Sequence, residues 1–152
     1  MNNETGATPH EPAVTADDLS FSSLFPTTRR GAHAVRHTAE RWLAAHLPPE
    51  QDAASSSLID TATLLVAELA ANAALHGRVR GRSARLALAL TEDAKELLIE
   101  VTDPRGDRLP AQHAPTEGES GRGLLLIEAL ADDWGVQPHH PGGKTVWALC
   151  RR

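Results

Sequence analysis

Glu68, Asn72 and His76 stand four residues apart in the run ELAANAALHG, Glu68–Gly77. At about 100° per residue each step drifts by only about 40°, so the three side chains share one helical strip. A carboxylate, a carboxamide and an imidazole beside an apolar stripe are costly to bury unless they border a cleft. The Asn72 oxygen is a hard ligand suited to Mg²⁺, which keeps waters and substrate phosphates as its other ligands. Glu68, one turn away, can orient or deprotonate a hydroxyl nucleophile. The same strip also fits a solvated helix face with His76 at the negative end of the helix dipole.

Three further stretches hold residue types that bind ligands. In VTDPRGD, Val101–Asp107, Pro104 biases Asp103 to an extended conformation and holds it at a strand end. A carboxylate there accepts a hydrogen bond from an exocyclic amine such as adenine N6, and repels the carbonyl that guanine carries at the equivalent position. The alternative is an ordinary Asp-Pro turn in which Gly106 supplies a positive φ. In GESGRGLLLI, Gly118–Ile127, the glycines Gly121 and Gly123 open an apolar run. Backbone N–H groups at such a helix start cradle phosphate, and Arg122 adds a charged contact. A flexible entry turn with a solvated arginine fits the same residues. In GGKTVW, Gly142–Trp147, Thr145 is either a donor to a ligand from a strand start or simply a β-former after a glycine turn. His139-His140 lacks a third clustered ligand for a metal. Trp42, Trp134 and Trp147 read as core or rim packing, and Cys150 as a buried, inert thiol.

The elements that must position these residues follow from hydrophobic periodicity. Met1–Asp18 has none; it is rich in Asn, Thr, Pro, Glu and Asp and reads as a disordered tail, leaving residues 19–152 as the domain. Leu19–Phe25 is strand-like and closed by Pro26. Thr27 or Thr28 caps a helix across Arg30–Leu47, in which Val35, Ala39, Trp42, Leu43 and Leu47 recur at helical spacing. Pro48 and Pro49 end it, and Glu50–Ser57 is a polar connection. A second helix, Leu58–His76, carries the stripe Leu58, Ala62, Leu65, Leu69 and Ala73, with Gly77 suited to its C-cap. Ala84–Leu90 and Leu97–Asp103 alternate as an antiparallel hairpin around the turn Glu92–Lys95. Asp107–Glu119 is a long polar loop of the kind that is functional or mobile. Gly123–Asp132 returns to helix, and Trp134–Gln137 and Lys144–Cys150 are two final strands. This order, β-α-α-β-β-loop-α-β-β, predicts an α+β fold: a two-layer α/β sandwich with a mixed, mostly antiparallel sheet and helices on one face. The short hairpins lack crossover helices, which excludes a doubly wound parallel sheet.

Composition narrows the function classes. The chain has 152 residues, enough for one domain with a core that needs no staples. Fifteen Lys+Arg stand against 20 Asp+Glu, a net charge of -5, so there is no cationic excess to neutralise a nucleic-acid backbone. Aromatic residues make up 3% and Tyr is absent, which leaves little for base stacking. The single cysteine excludes an intramolecular disulfide. No apolar run approaches the roughly 18–20 residues of a membrane span, and the polar N-terminus is no signal peptide, so the expected compartment is the cytoplasm.

Taken together, LLVAELAANAALHG (Leu64–Gly77), VTDPRGDRLP (Val101–Pro110), GRGLLLIEALADDWGV (Gly121–Val136) and GKTVWAL (Gly143–Leu149) resemble the GHKL ATPase superfamily of gyrase, Hsp90, histidine kinases and MutL. Within it the chain is most similar to the small branch of anti-sigma-factor serine kinases and their actinobacterial relatives, as is FPTTRRGAHAVRHTAERWL (Phe25–Leu43). The resemblance implies ATP and Mg²⁺ as ligands. Asn72 then corresponds to the Mg²⁺ ligand, Glu68 to the general base and Asp103 to the aspartate that binds the adenine amine. Gly121 and Gly123 match the second glycine box, at the hinge of a lid over the phosphates formed by Asp107–Ser120. Gly106 belongs to the first glycine box, and Thr145 matches a threonine near the adenine. The usual first box is DxGxG; here Arg105 and Asp107 replace both glycines, and Gly106 is out of register. The implied partners are an anti-anti-sigma (STAS) protein and a sigma factor, with self-association through the helix-free sheet face. The implied activity is transfer of the ATP γ-phosphate to a serine or threonine hydroxyl. The alternative is a partner-binding module with weak or lost nucleotide binding.

Overall fold

The computed structural model describes residues 10–47, 53–76, 83–103, 125–139 and 143–152. Five strands form one sheet: β1 (Leu19–Pro26), β2 (Ser83–Leu90), β3 (Glu96–Asp103), β4 (Asp133–Pro138) and β5 (Lys144–Arg151). Their spatial order is β1-β2-β3-β5-β4. Every pairing is antiparallel, so the parallel component expected of a mixed sheet is missing among the described strands. The reason is the connectivity: β2–β3 and β4–β5 close as hairpins, and β5 inserts between β3 and β4 with its direction opposed to both.

Helix α1 (Arg29–His46) is capped by Thr28, whose Oγ1 accepts the Gly31 N–H at 2.9 Å. Gly31 tolerates no side chain, because a Cβ there would collide with the Pro26 carbonyl oxygen at the β1–α1 corner. Its buried face is Ala32, Val35, Ala39 and Leu43. Helix α2 (Ala53–His76) starts five residues earlier than its apolar stripe implies. Its first turn is secured from a distance: Ser55 is buried, and Arg152 Nη1 donates to its hydroxyl at 3.2 Å. A third helix is described over residues 125–130, two residues short of the expected end at Asp132. There the chain turns back to the sheet, with the Asp132 N–H donating to the Leu149 carbonyl.

Alternation along the strands sorts their residues between two faces. Leu97, Ile99 and Val101 of β3 point to the helices and join Leu86, Leu88, Leu90, Ala148 and Cys150 in the main core. The helices α1 and α2 pack on each other, and α2 also packs on β3 and β5. By length and composition α2 would be apolar enough to cross a membrane, but its Leu58, Ala62, Leu65, Val66, Leu69 and Ala70 are spent on this core. Phe21 stacks on Trp42 at 5.8 Å and Trp134 packs at the core margin, the rim role expected of both tryptophans.

The opposite face carries a second, smaller cluster: Ala89, Leu98, Trp147 and Leu149. Gly135 of β4, the register partner of Trp147, leaves room for its indole, since a Cβ there would come within 2.9 Å of the ring. Part of residues 10–18, assigned from sequence to the tail, lies against this face. Pro12, Ala13 and Val14 enclose a cavity of about 40 Å³ together with Ala89, Leu98 and Leu149. Thr15 and Asp18 close a turn before β1 through bonds of 3.0 Å and 3.1 Å. Residues 1–9 lie outside the described residues.

Candidate functional site

Helix α2 carries the strip read from the sequence. Glu68 and Asn72 are both half-buried, on the flank of the stripe that enters the core. Asn72 lines a cavity of about 610 Å³ between the C-terminal part of α2 and the start of α1. Its floor is Ala32, Ala67, Ala71, Ala74 and Leu75; Thr27, Thr28, Arg29, His33 and Arg36 complete the wall. The two arginines and the histidine come from α1 at positions 29, 33 and 36, one face of that helix. Helical spacing in Arg29–Arg36 was the signal that could have found them. His76 ends α2, and its side chain lies outside the described residues.

Asp103 is the last residue of β3 and is only 3% exposed. It shares the helix-side face with Ile99 and Val101, so it stands on the same side of the sheet as Glu68 and Asn72. An ionised carboxylate only accepts hydrogen bonds, a chemistry that fits an amine-bearing ligand. The donor chemistry also fits a magnesium nucleotide: a carboxamide oxygen at a cavity wall on α2 and a buried acceptor at the strand end.

Thr145 is not brought to Asp103. It follows Lys144 on β5 and faces the other way, with its Oγ1 2.8 Å from Thr102 Oγ1 and 2.7 Å from His139 Nε2. Alternation decides this: Asp103 pairs with Lys144, and Thr102 with Thr145, on opposite faces. The residue beside Asp103 is therefore Lys144, half-buried, which sequence reasoning passed over. The alternation of Lys144, Val146 and Ala148 held that signal. His139 is engaged by Thr145, and no group of three or more His, Cys, Asp or Glu residues fit for a metal occurs among the described residues. Cys150 is buried in β5, and burial, reinforced by the charge of Asp132, pushes its thiol up to about 12. Gly106, Gly121, Arg122, Gly123 and the lid segment Asp107–Ser120 lie outside the described residues.

The sequence model of the histidine kinase-like ATPase domain matches residues 25–149, from the end of β1 to β5. The chain belongs to that family. Membership of that ATPase family supports ATP as its ligand. No curated protein matches it. Among solved structures it resembles the RsbU and RsbW domains of Rv1364c from Mycobacterium tuberculosis, with a TM-score of 0.61 and 22% identity over 88% of this chain. The chain corresponds to 32% of that structure's length, and the likeness is one of fold.

Proposed function

We propose that this protein is an anti-sigma-factor-like kinase that transfers the ATP γ-phosphate to a serine or threonine hydroxyl of a partner protein. The observation that carries the reading is the placement of Glu68, Asn72 and Asp103 on the helix side of one sheet, within a domain of the histidine kinase-like ATPase family. Asp103 accepts from the adenine amine and sets the base at the end of β3. Asn72 holds Mg²⁺ through its carboxamide oxygen, and the metal when bound neutralises phosphate charge. Glu68 takes the proton of the partner's hydroxyl as its oxygen bonds to the γ-phosphorus; the bond to the bridging oxygen breaks and ADP leaves. Gly121, Arg122 and Gly123 are assigned to the phosphates and Gly106 to the base by the sequence resemblance alone, since all four lie outside the described residues. The partner is a STAS-type anti-anti-sigma protein, with a sigma factor as its competitor.

The replacement of glycines by Arg105 and Asp107 favours a second reading, in which the chain sequesters a partner without nucleotide. Titration calorimetry with ATP, with and without Mg²⁺, separates the two. Magnesium-dependent binding supports the kinase; no heat up to about millimolar ATP, with an unchanged melting temperature, supports the binding module. If ATP binds, Glu68→Gln is expected to abolish phosphorylation of the partner while sparing ATP affinity. Normal transfer by that variant would remove Glu68 as the base.

A further inference from the structure

Asp103 and Lys144 are register partners across β3 and β5. Directly opposed residues of an antiparallel pair hold their Cβ atoms about 4.5–5.5 Å apart. Both belong to the helix-side face, since Val101 and Val146, their neighbours two residues along each strand, pack on the main core. Asp103 is buried and Lys144 half-buried, and both stand on that face at the same end of their strands. A carboxylate only accepts hydrogen bonds, and an ammonium only donates them. The pair thus presents an acceptor and a donor side by side in a fixed order.

We propose that Lys144 is a specificity-determining residue that donates to N1 of the adenine whose N6 amine is held by Asp103. The proposal rests on the ATP reading above and extends it. The Watson–Crick edge of adenine carries a donor, the N6 amine, next to an acceptor, N1. Guanine carries the reverse order, the O6 acceptor next to the N1–H donor. A base set with its exocyclic group on Asp103 therefore satisfies both side chains as adenine and neither as guanine. A hydrogen bond from a charged donor is worth about tenfold or more in affinity. The hydroxyl of Thr145 takes no part, being turned to Thr102 and His139 on the far face.

The test compares ATP with 1-deaza-ATP, which keeps the N6 amine and has C–H in place of N1, by calorimetry on the native protein, Lys144→Met and Asp103→Asn. The native protein is expected to bind ATP about tenfold more tightly than the deaza analogue. In Lys144→Met that ratio falls to about unity, with the melting temperature showing that the variant is folded. Equal binding of both nucleotides by the native protein overturns the proposal, as does a Lys144→Met variant that keeps the tenfold ratio. Those failures leave the ATP site intact if Asp103→Asn loses ATP. ATP binding unaffected by Asp103→Asn, or absent from the native protein, overturns the ATP reading together with the proposal.

Discussion

The two faces of the sheet are made by the same strands and finished in opposite ways. The helix side is closed by α1, α2 and the helix at 125–130, around side chains such as Ile99, Leu86 and Leu97 that are fully buried. Among the described residues the far side carries no helix, yet Trp147 is 1% and Leu149 4% exposed, and Leu149 lies beside the short segment Pro12–Val14. A helix layer buries large areas against many strands at once and is costly to remove. A segment of a few residues buries little, and its attachment depends on individual contacts.

One of those contacts titrates. Glu11 shares a hydrogen bond with Glu100 of β3, and its carboxyl is pushed up to about 8, by burial first and then by the bond to and charge of Glu100. Other charges on this face come from Arg85 of β2, directed to Ser22; Glu96 and Arg151, paired with each other at 2.9 Å; and Asp133 of β4. The segment itself adds His10, Asp17 and Asp18.

The contrast can be broken most directly with a pair of truncations on β3. Ile99→Ala, under the helices, is expected to cost about 3–4 kcal/mol in chemical denaturation, and Leu98→Ala, under the segment, about half of that. Equal losses would mean that the two faces are equally committed.

A smaller effect belongs to pH. The docked segment retains a proton that the free one gives up at the ordinary carboxyl value of 4.5, so its attachment is complete below 4.5 and is lost as pH rises through about 8. Cleavage before Leu19 by a non-specific protease should be faster at about pH 9 than at about pH 6. Glu11→Gln, which keeps a donor and cannot ionise, should remove the difference; its persistence would place the titrating group elsewhere.

Thr145→Val should cost about 1 kcal/mol through the lost bonds to Thr102 and His139, and should change ATP affinity by less than about twofold. A tenfold loss of affinity would return Thr145 to the nucleotide side. The smallest effect is expected in the β2–β3 turn, where Ala94 has a φ of 59°. Ala94→Gly relieves that left-handed strain and should raise the melting temperature by the equivalent of about 0.5 kcal/mol.

Much of the helix side was legible in the sequence. Val35, Ala39 and Leu43 of α1 and Leu58, Ala62, Leu65, Leu69 and Ala73 of α2 recur at helical spacing, and all are buried. The hairpin strands alternate clearly, and Asp103 stands at the strand end, as expected of a residue that precedes a proline in the sequence. The start of α2 was not legible, because Ala53–Ser57 carries no apolar stripe and is held by Arg152 from the far end of the chain. The docking of residues 11–14 left no periodic trace either. A segment that meets a sheet face through Glu11, Pro12, Ala13 and Val14 has the composition of a tail.

The sequence by itself determined the elements and the residue types available for chemistry: helical periodicity places Glu68 and Asn72 on one strip, and period-two alternation divides each strand between two faces. Those are local properties of a chain with fixed geometry. Which strands become neighbours, and in what register, was decided only in the tertiary structure, where β5 lies between β3 and β4. A shift of one residue exchanges the faces. That register puts Lys144 beside Asp103 and turns Thr145 away, because pairing joins segments more than forty residues apart and is selected by the packing of Val146 and Ala148 under the helices.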